Sequence, residues 1–403
     1  MLLKNIARLY GTYPGTDLQK GNQMQTIPVM EQAWLYSENG RIQQFGPMHE
    51  QPDFNLSGLE VVDCEGVSVL PGFVDVHTHL VFARHRAHEF QKRLKGWSYQ
   101  QIAQEGGGIL NSAKYIKQAS ESELFQSAWE RLQEVIASGT CAIEIKSGYG
   151  LEWEQELKML GVIQRLKEQS PIPVKATYLA AHAVPAGWQT EAYVDFVVKT
   201  CLPELARLKL ADYVDVFCET GYFNVEQCRK ILTTAQSFGF SARLHAEQLS
   251  HTGGIALGTD IMAQSVDHLE FANQEDIQKL KQSKVFPVIL PGAAFFLQLP
   301  APPVRDMLQA GLPLVIGSDY NPGSSPSGNM LDMMRLACIT MGFQIEEAFF
   351  ASTQNAACLL NLEKDYGSIW PGKKMHLILS KPGWDLTRMV YEFSSNPIQK
   401  ILY

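Results

Sequence analysis

Two histidines one residue apart, His77-Thr78-His79, follow the apolar run Pro71-Gly72-Phe73-Val74-Asp75-Val76. Side chains at i and i+2 of a strand point to one face, so both imidazoles can enter one cavity. Three further segments end in groups of the same chemistry: Leu244-His245-Ala246-Glu247-Gln248, Val266-Asp267-His268-Leu269-Glu270 and Ile316-Gly317-Ser318-Asp319. A single His on an apolar strand is ordinarily a hydrogen-bonded core residue, and a single Asp after one ordinarily caps a turn or helix. Their coincidence at the ends of several strands points instead to a shared site. Imidazole and carboxylate ligands suit Zn²⁺ or Fe²⁺, and an incomplete protein shell leaves room for water.

Such a site needs elements that bring distant residues to one place. Apolar runs predict strands at Phe73–His77, Cys141–Lys146, Val174–Ala180, Tyr213–Cys218, Phe240–His245, Ser265–Glu270, Val285–Leu290 and Pro313–Asp319. Amphipathic stretches between them predict helices over Glu121–Ser138, Glu152–Glu168 and Val225–Ser237. The first opens on Ser120 with Glu123 at capping-box spacing. Strands alternating with helices imply parallel βαβ units. About eight units over roughly 300 residues fit a closed (β/α)8 barrel of the TIM type, which usually takes about 250. An open doubly wound sheet has the same rhythm, but chemistry gathered at many strand ends favours the barrel, where βα loops carry function.

The two ends read differently. Residues 1–69 and 366–403 hold short, polar-interrupted apolar stretches and turn signals such as Asn39-Gly40, Gly46-Pro47 and Pro371-Gly372. They predict a small β-sandwich domain formed by both termini, flanking a barrel over 70–365.

Composition narrows the partners. With 45% hydrophobic and 19% charged residues in 403, the chain has ample material for a large core and does not read as disordered. Its 34 basic residues face 42 acidic ones, for a net charge of -8, and there is no dense Lys/Arg run of the sort a nucleic-acid surface needs. An anionic substrate would have to be captured by local arginines against the global field. No long apolar run predicts a membrane span, and Met1-Leu2-Leu3-Lys4-Asn5-Ile6 does not read as a signal peptide, so the cytoplasm is expected. Seven cysteines without a C-x-x-C pair read as buried small hydrophobes in a reducing compartment.

The segment Pro71–His79, with the later His residues and the terminal Asp319, resembles the amidohydrolase superfamily. Within it, the chain is similar to the imidazolonepropionases. The similarity runs in order through Phe82–Phe90, Gly106–Ile109, Lys146–Leu151, Ala181–Pro185, Asp215–Thr220, His245–Gln248, Ser265–Glu270 and Gly317–Ser327. This resemblance implies one Zn²⁺ or Fe ion per subunit on His77, His79, His245 and Asp319. It also implies hydrolysis of a cyclic amide, 4-imidazolone-5-propanoate, and a homodimer. Asp319 is then the expected proton carrier and His268 a donor to the water or the developing oxyanion. Arg86, in the loop after His79, is expected to grip the substrate carboxylate. Tyr149 and His182 are expected to hydrogen-bond the carboxylate or ring. Amides of the Asn321, Gly323, Ser324 loop are expected to bind a polar ligand.

One position departs from the superfamily pattern. Deaminases commonly carry Glu three residues after the fifth-strand His, whereas Gln248 cannot ionise and can only orient a ring through its amide. That disfavours a deaminase-style proton relay at this position; the alternative readings are another cyclic amide hydrolase or a nucleobase deaminase, and a neutral base would need no carboxylate clamp at Arg86. Glu219 ends the fourth strand, where a second ion could be recruited; a single ion is expected. The adjacent Glu247 should point away and serve structure.

Overall fold

The computed structural model describes residues 1–55 and 57–403, and the side chains of all of these except positions 99, 100, 103 and 180. The N-terminal segment supplies β1 (Leu2–Tyr10), β2 (Val29–Glu38), β3 (Arg41–Pro47), β4 (Val61–Asp63) and β5 (Ser68–Pro71). The middle supplies β6 (Phe73–Asp75), β7 (Thr140–Lys146), β8 (Val174–Ala181), β9 (Tyr213–Cys218), β10 (Ser241–Ala246), β11 (Ser265–His268), β12 (Phe286–Ile289) and β13 (Val315–Ile316). The C-terminal segment adds β14 (Leu377–Ser380) and β15 (Ile398–Leu402).

Strands β6 to β13 pair in sequence order, all parallel, as an eight-stranded sheet. The barrel seam is bridged where the chain leaves its first and last strands. Thr78 pairs with Tyr320, His79 N donates to Tyr320 O at 2.8 Å, and Asp319 N donates to His77 O at 2.9 Å. This is the (β/α)8 architecture that the alternation of strands and helices implies. The expected strands all occur, with ends shifted by a few residues. One shift is instructive: β6 stops at Asp75, because the Asp75 carboxylate turns to accept from His77 N and from Ser318 N and Oγ. His77 and His79 therefore sit just past the strand, on backbone held by the seam.

The helices pack outside. Glu121–Ala137 begins where Ser120 Oγ accepts from Glu123 N at 3.2 Å, a cap contributing about 1 kcal/mol. Its Leu124, Ala128, Leu132 and Val135 are buried against the sheet. Trp153–Gln169 and Val225–Ser237 match the predicted helices within a residue. Three short helices, Ala87–Leu94, Tyr99–Gln104 and Gly108–Gln118, lie between β6 and β7.

The termini form one seven-stranded sheet in the order β15-β14-β5-β1-β2-β3, with β4 pairing to β1. Leu3, Ile6, Leu9, Leu35, Ile42, Val69, Leu377 and Leu379 make its own apolar core. None of the helices among the described residues is long and apolar enough to cross a membrane.

Candidate active site

Four groups from opposite ends of the barrel sequence converge. One ring nitrogen from each of His77, His79 and His245 lies within 4.8 Å of the others. Asp319 Oδ1 is 3.6 Å from His77 Nε2 and 3.5 Å from His79 Nε2, while His79 Nε2 and His245 Nε2 face each other at 3.4 Å. All four residues are buried, and His77 Nε2 has no hydrogen-bond partner among the described residues. Unshared lone pairs pointed at one space, with a carboxylate beside them, are unsatisfied by protein alone and fit a divalent cation. Burial, reinforced by Lys146 and neighbouring imidazoles, holds His77 well below its usual pKa; burial does the same for His79 and lowers His245. Neutral imidazole is the form that binds metal. Burial pushes the Asp319 carboxyl up to about 7, with the His268 charge working against it.

Behind two of these imidazoles stand carboxylates. His77 Nδ1 donates to Asp267 Oδ2 at 2.7 Å, and His245 Nδ1 donates to Asp215 Oδ1 at 3.1 Å. Each bond fixes the tautomer and turns Nε2 to the common space. Glycine makes room at the seam: a Cβ on Gly317 would lie 2.9 Å from His77 Cβ.

His268 closes one side, its ring 5.3 Å from that of His245 and 5.7 Å from that of His77. Its φ of +90° and that of Asp319, +51°, are left-handed conformations costing about 1–3 kcal/mol each. Strain of this kind persists where the surroundings over-determine it, here by aiming both side chains into the mouth. Burial opposes the His268 cation, but Glu270, whose Oε1 is 3.8 Å from Nδ1, together with Asp319 and Asp267 holds it above its usual pKa.

The cavity over the cluster is lined by Arg86, Tyr149, His182, Gln248, Asn321 and Ser324, with Ile109, Phe217, Leu249 and Leu297 as apolar walls. His182 stacks on His79 at 5.2 Å and holds Gly148 O through Nδ1 at 3.0 Å. The Arg86 guanidinium is buried, lies 5.7 Å from the Tyr149 ring centre, and is oriented by Glu89 Oε2 at 3.1 Å and Ser112 Oγ at 2.6 Å. Gly323 lies under it, and any Cβ there would collide with the guanidinium. The loop amides behave otherwise than expected. Gly323 N and Ser324 N both donate to Asn321 Oδ1, at 2.8 and 2.7 Å, and Asn321 Nδ2 donates to Asp319 O and Ser324 Oγ, so these groups are spent inside the turn. Glu219 is also committed: its carboxylate accepts from Thr220 N, Leu249 N and Ser250, tying down the loop after Gln248. Glu247 accepts from Thr252 N and Gly253 N and so holds a turn, away from the cavity.

Comparison with known proteins bears directly on this site. The amidohydrolase family model matches residues 229–402. The imidazolonepropionase of Flavobacterium johnsoniae is 44% identical over 405 residues, covering 100% of this chain and 98% of that protein. The chain belongs to the imidazolonepropionase family. The Christiangramia forsetii member is 42% identical, again over 100% of this chain and 98% of its own. Among solved structures, guanine deaminase from C. acetobutylicum with bound guanine aligns at a TM-score of 0.68 and 14% identity, covering 100% of this chain and 98% of that one. A triazine hydrolase variant aligns at 0.74 and 14% identity, over 100% and 92%. At such identity these two show the fold alone.

For a member of this family, the groups that sequence reasoning missed lie beneath the imidazoles. Asp215, Asp267, Glu144, Lys146 and Arg243 are all buried inside the barrel. The available signal was a charged residue at every second position of an apolar strand, as in Glu144-Ile145-Lys146 and Arg243-Leu244-His245. Glu89, which orients Arg86, carried no such signal.

Proposed function

We propose that the chain hydrolyses the ring amide of 4-imidazolone-5-propanoate to N-formimidoyl-L-glutamate, the ring-opening step of L-histidine degradation. In this reading His77, His79, His245 and Asp319 hold one Zn²⁺ or Fe²⁺ ion, a Lewis acid that brings the pKa of water down to around 7. The observation that carries it is the convergence of three neutral imidazoles and a carboxylate under a cavity that also contains a buried arginine.

The substrate's ring amide is resonance-stabilised, so neutral water attacks it poorly. Asp319 takes the proton of the attacking water and returns it to the ring nitrogen as the carbon–nitrogen bond breaks. His268, held toward its charged form, donates to the oxygen on which negative charge develops. Arg86 receives the propionate carboxylate, pre-aimed by Glu89 and Ser112. Tyr149 and His182 hydrogen-bond the carboxylate or ring from the loops after β7 and β8, and Gln248 orients the ring through its amide donor and acceptor. Asn321, Gly323 and Ser324 complete the wall under the guanidinium. A neutral nucleobase needs no such cation, and Gln248 has no proton to shuttle, so deamination fits these residues less well. The partner is a small carboxylate-bearing molecule, without nucleic acid or membrane, and the chain works in the cytoplasm as a homodimer.

The deciding experiment follows imidazolone propionate consumption and N-formimidoyl-glutamate formation by purified protein alongside its metal content. Turnover that scales with one bound ion per chain supports the reading. A metal-replete, folded protein that leaves the substrate untouched overturns it.

A further inference from the structure

We propose that Lys146 is a positioning residue for the metal site: one ammonium holds both Asp215 and Asp267, the two carboxylates that orient His245 and His77. This rests on the reading of those imidazoles as ligands. Lys146 is fully buried in the barrel interior. Its Nζ lies 2.9 Å from Asp215 Oδ2, 2.9 Å from Glu144 Oε1 and 3.9 Å from Asp267 Oδ2.

The geometry divides the work between the two oxygens of Asp215. Oδ1 accepts from His245 Nδ1 while Oδ2 meets the ammonium. Asp267 Oδ2 accepts from His77 Nδ1, and Arg243 Nη2 and Ser265 Oγ secure Asp267 from its other sides. Among the described residues, no other Lys or Arg comes within ion-pair distance of Asp215. Arg243 therefore backs His77 only, whereas Lys146 reaches behind both imidazoles.

Charge balance points the same way. Burying a carboxylate costs several kcal/mol unless it is paired. Glu144, Asp215 and Asp267 against Lys146 and Arg243 leave one negative charge in this layer. A divalent ion beside the Asp319 carboxylate leaves one positive charge above it. Removing Lys146 unbalances the layer and also frees Asp215 to rotate away from His245. A test must separate those two effects.

The double variant Lys146→Met/Glu144→Gln removes one charge of each sign, keeping the layer's net charge while deleting the clamp. The measurements are Zn²⁺ affinity by chelator competition, the visible spectrum of the Co²⁺-loaded protein, melting of the metal-free protein, and kcat and KM separately. The double variant is expected to melt within a few degrees of the parent when metal-free. It should bind Zn²⁺ about ten- to a hundredfold more weakly, with altered Co²⁺ bands and a loss in kcat greater than any change in KM. Parental Zn²⁺ affinity and an unchanged Co²⁺ spectrum would show that Lys146 only neutralises charge, and the proposal falls. Should the double variant not fold, Lys146→Gln is read by the same affinities and spectra. His245→Ala is the control: if it leaves Zn²⁺ binding intact, the ligand reading itself fails. Binding lost in His245→Ala but intact in the Lys146 variants overturns the role of Lys146 alone.

Discussion

Two regions of the molecule bury histidine and treat it in opposite ways. At the barrel mouth, His77 and His245 each spend Nδ1 on a carboxylate and turn Nε2 toward a shared space. Where the small sheet meets the barrel floor, His376 is 6% exposed and stacks on Tyr403 at 5.3 Å, and neither ring nitrogen has a hydrogen-bond partner among the described residues. Burial alone pulls that imidazole down to about 4, so it stays neutral and behaves as a flat apolar filler. Burial therefore supplies the neutral form in both places. What turns His77 and His245 toward the shared space is the anion behind each ring, balanced in turn by buried cations; His79 has no such anion, and its Nδ1 is without a hydrogen-bond partner among the described residues.

This contrast can be broken at four points. The largest effect is expected from Asp319→Ala, which takes the carboxylate from the mouth. Product formation should fall about 10³-fold or more while circular dichroism keeps its native shape; retained turnover would remove Asp319 from the chemistry. Arg86→Met should follow, raising KM for the carboxylate substrate about 10²-fold and lowering kcat much less. A KM that stays put would place the carboxylate elsewhere. Asp215→Asn brings His245 closer to the condition of His376, with no anion behind the ring. Chelator competition should then show metal affinity reduced about ten- to a hundredfold, without loss of fold.

The smallest effect belongs to the other region. His376 binds its proton more readily unfolded, near its ordinary 6.5, than folded, near 4. Its contribution to stability is therefore fully present above pH 6.5 and is lost as pH falls toward 4, by about 2–3 kcal/mol. In His376→Phe, denaturant midpoints should decline less than the parent's across that window and match it more nearly at pH 7.5. Parallel pH profiles would show that His376 is solvated.

Much of the site was legible because its residues break the pattern around them. His77, His79, His245 and Asp319 stand at the ends of apolar runs, and parallel strands bring such ends to one face. The barrel itself followed from alternating strand and helix signals. Lys146, Asp215 and Asp267 were harder, because the strand-interior positions of a barrel are ordinarily filled by branched apolar side chains. Charges there make sense only once their partners on neighbouring strands are known, and that register is a property of the folded sheet. The short helices over 87–118 were missed because they run only 8, 6 and 11 residues, and neither Ala87–Leu94 nor Gly108–Gln118 opens on a side-chain cap. The commitment of Gly323 N and Ser324 N to Asn321 is a turn geometry that composition does not disclose.

The seam carries a consequence for how the protein comes into being. Thr78 and Tyr320 join the first strand to the last on the very backbone that presents His77, His79 and Asp319. Closing the cylinder and assembling the ion's pocket are thus a single event, and a growing chain has no complete pocket until its eighth strand arrives. Any fragment that stops short of Asp319 lacks one of the four converging groups, and it should bind metal more weakly than the whole chain however well its earlier strands pair.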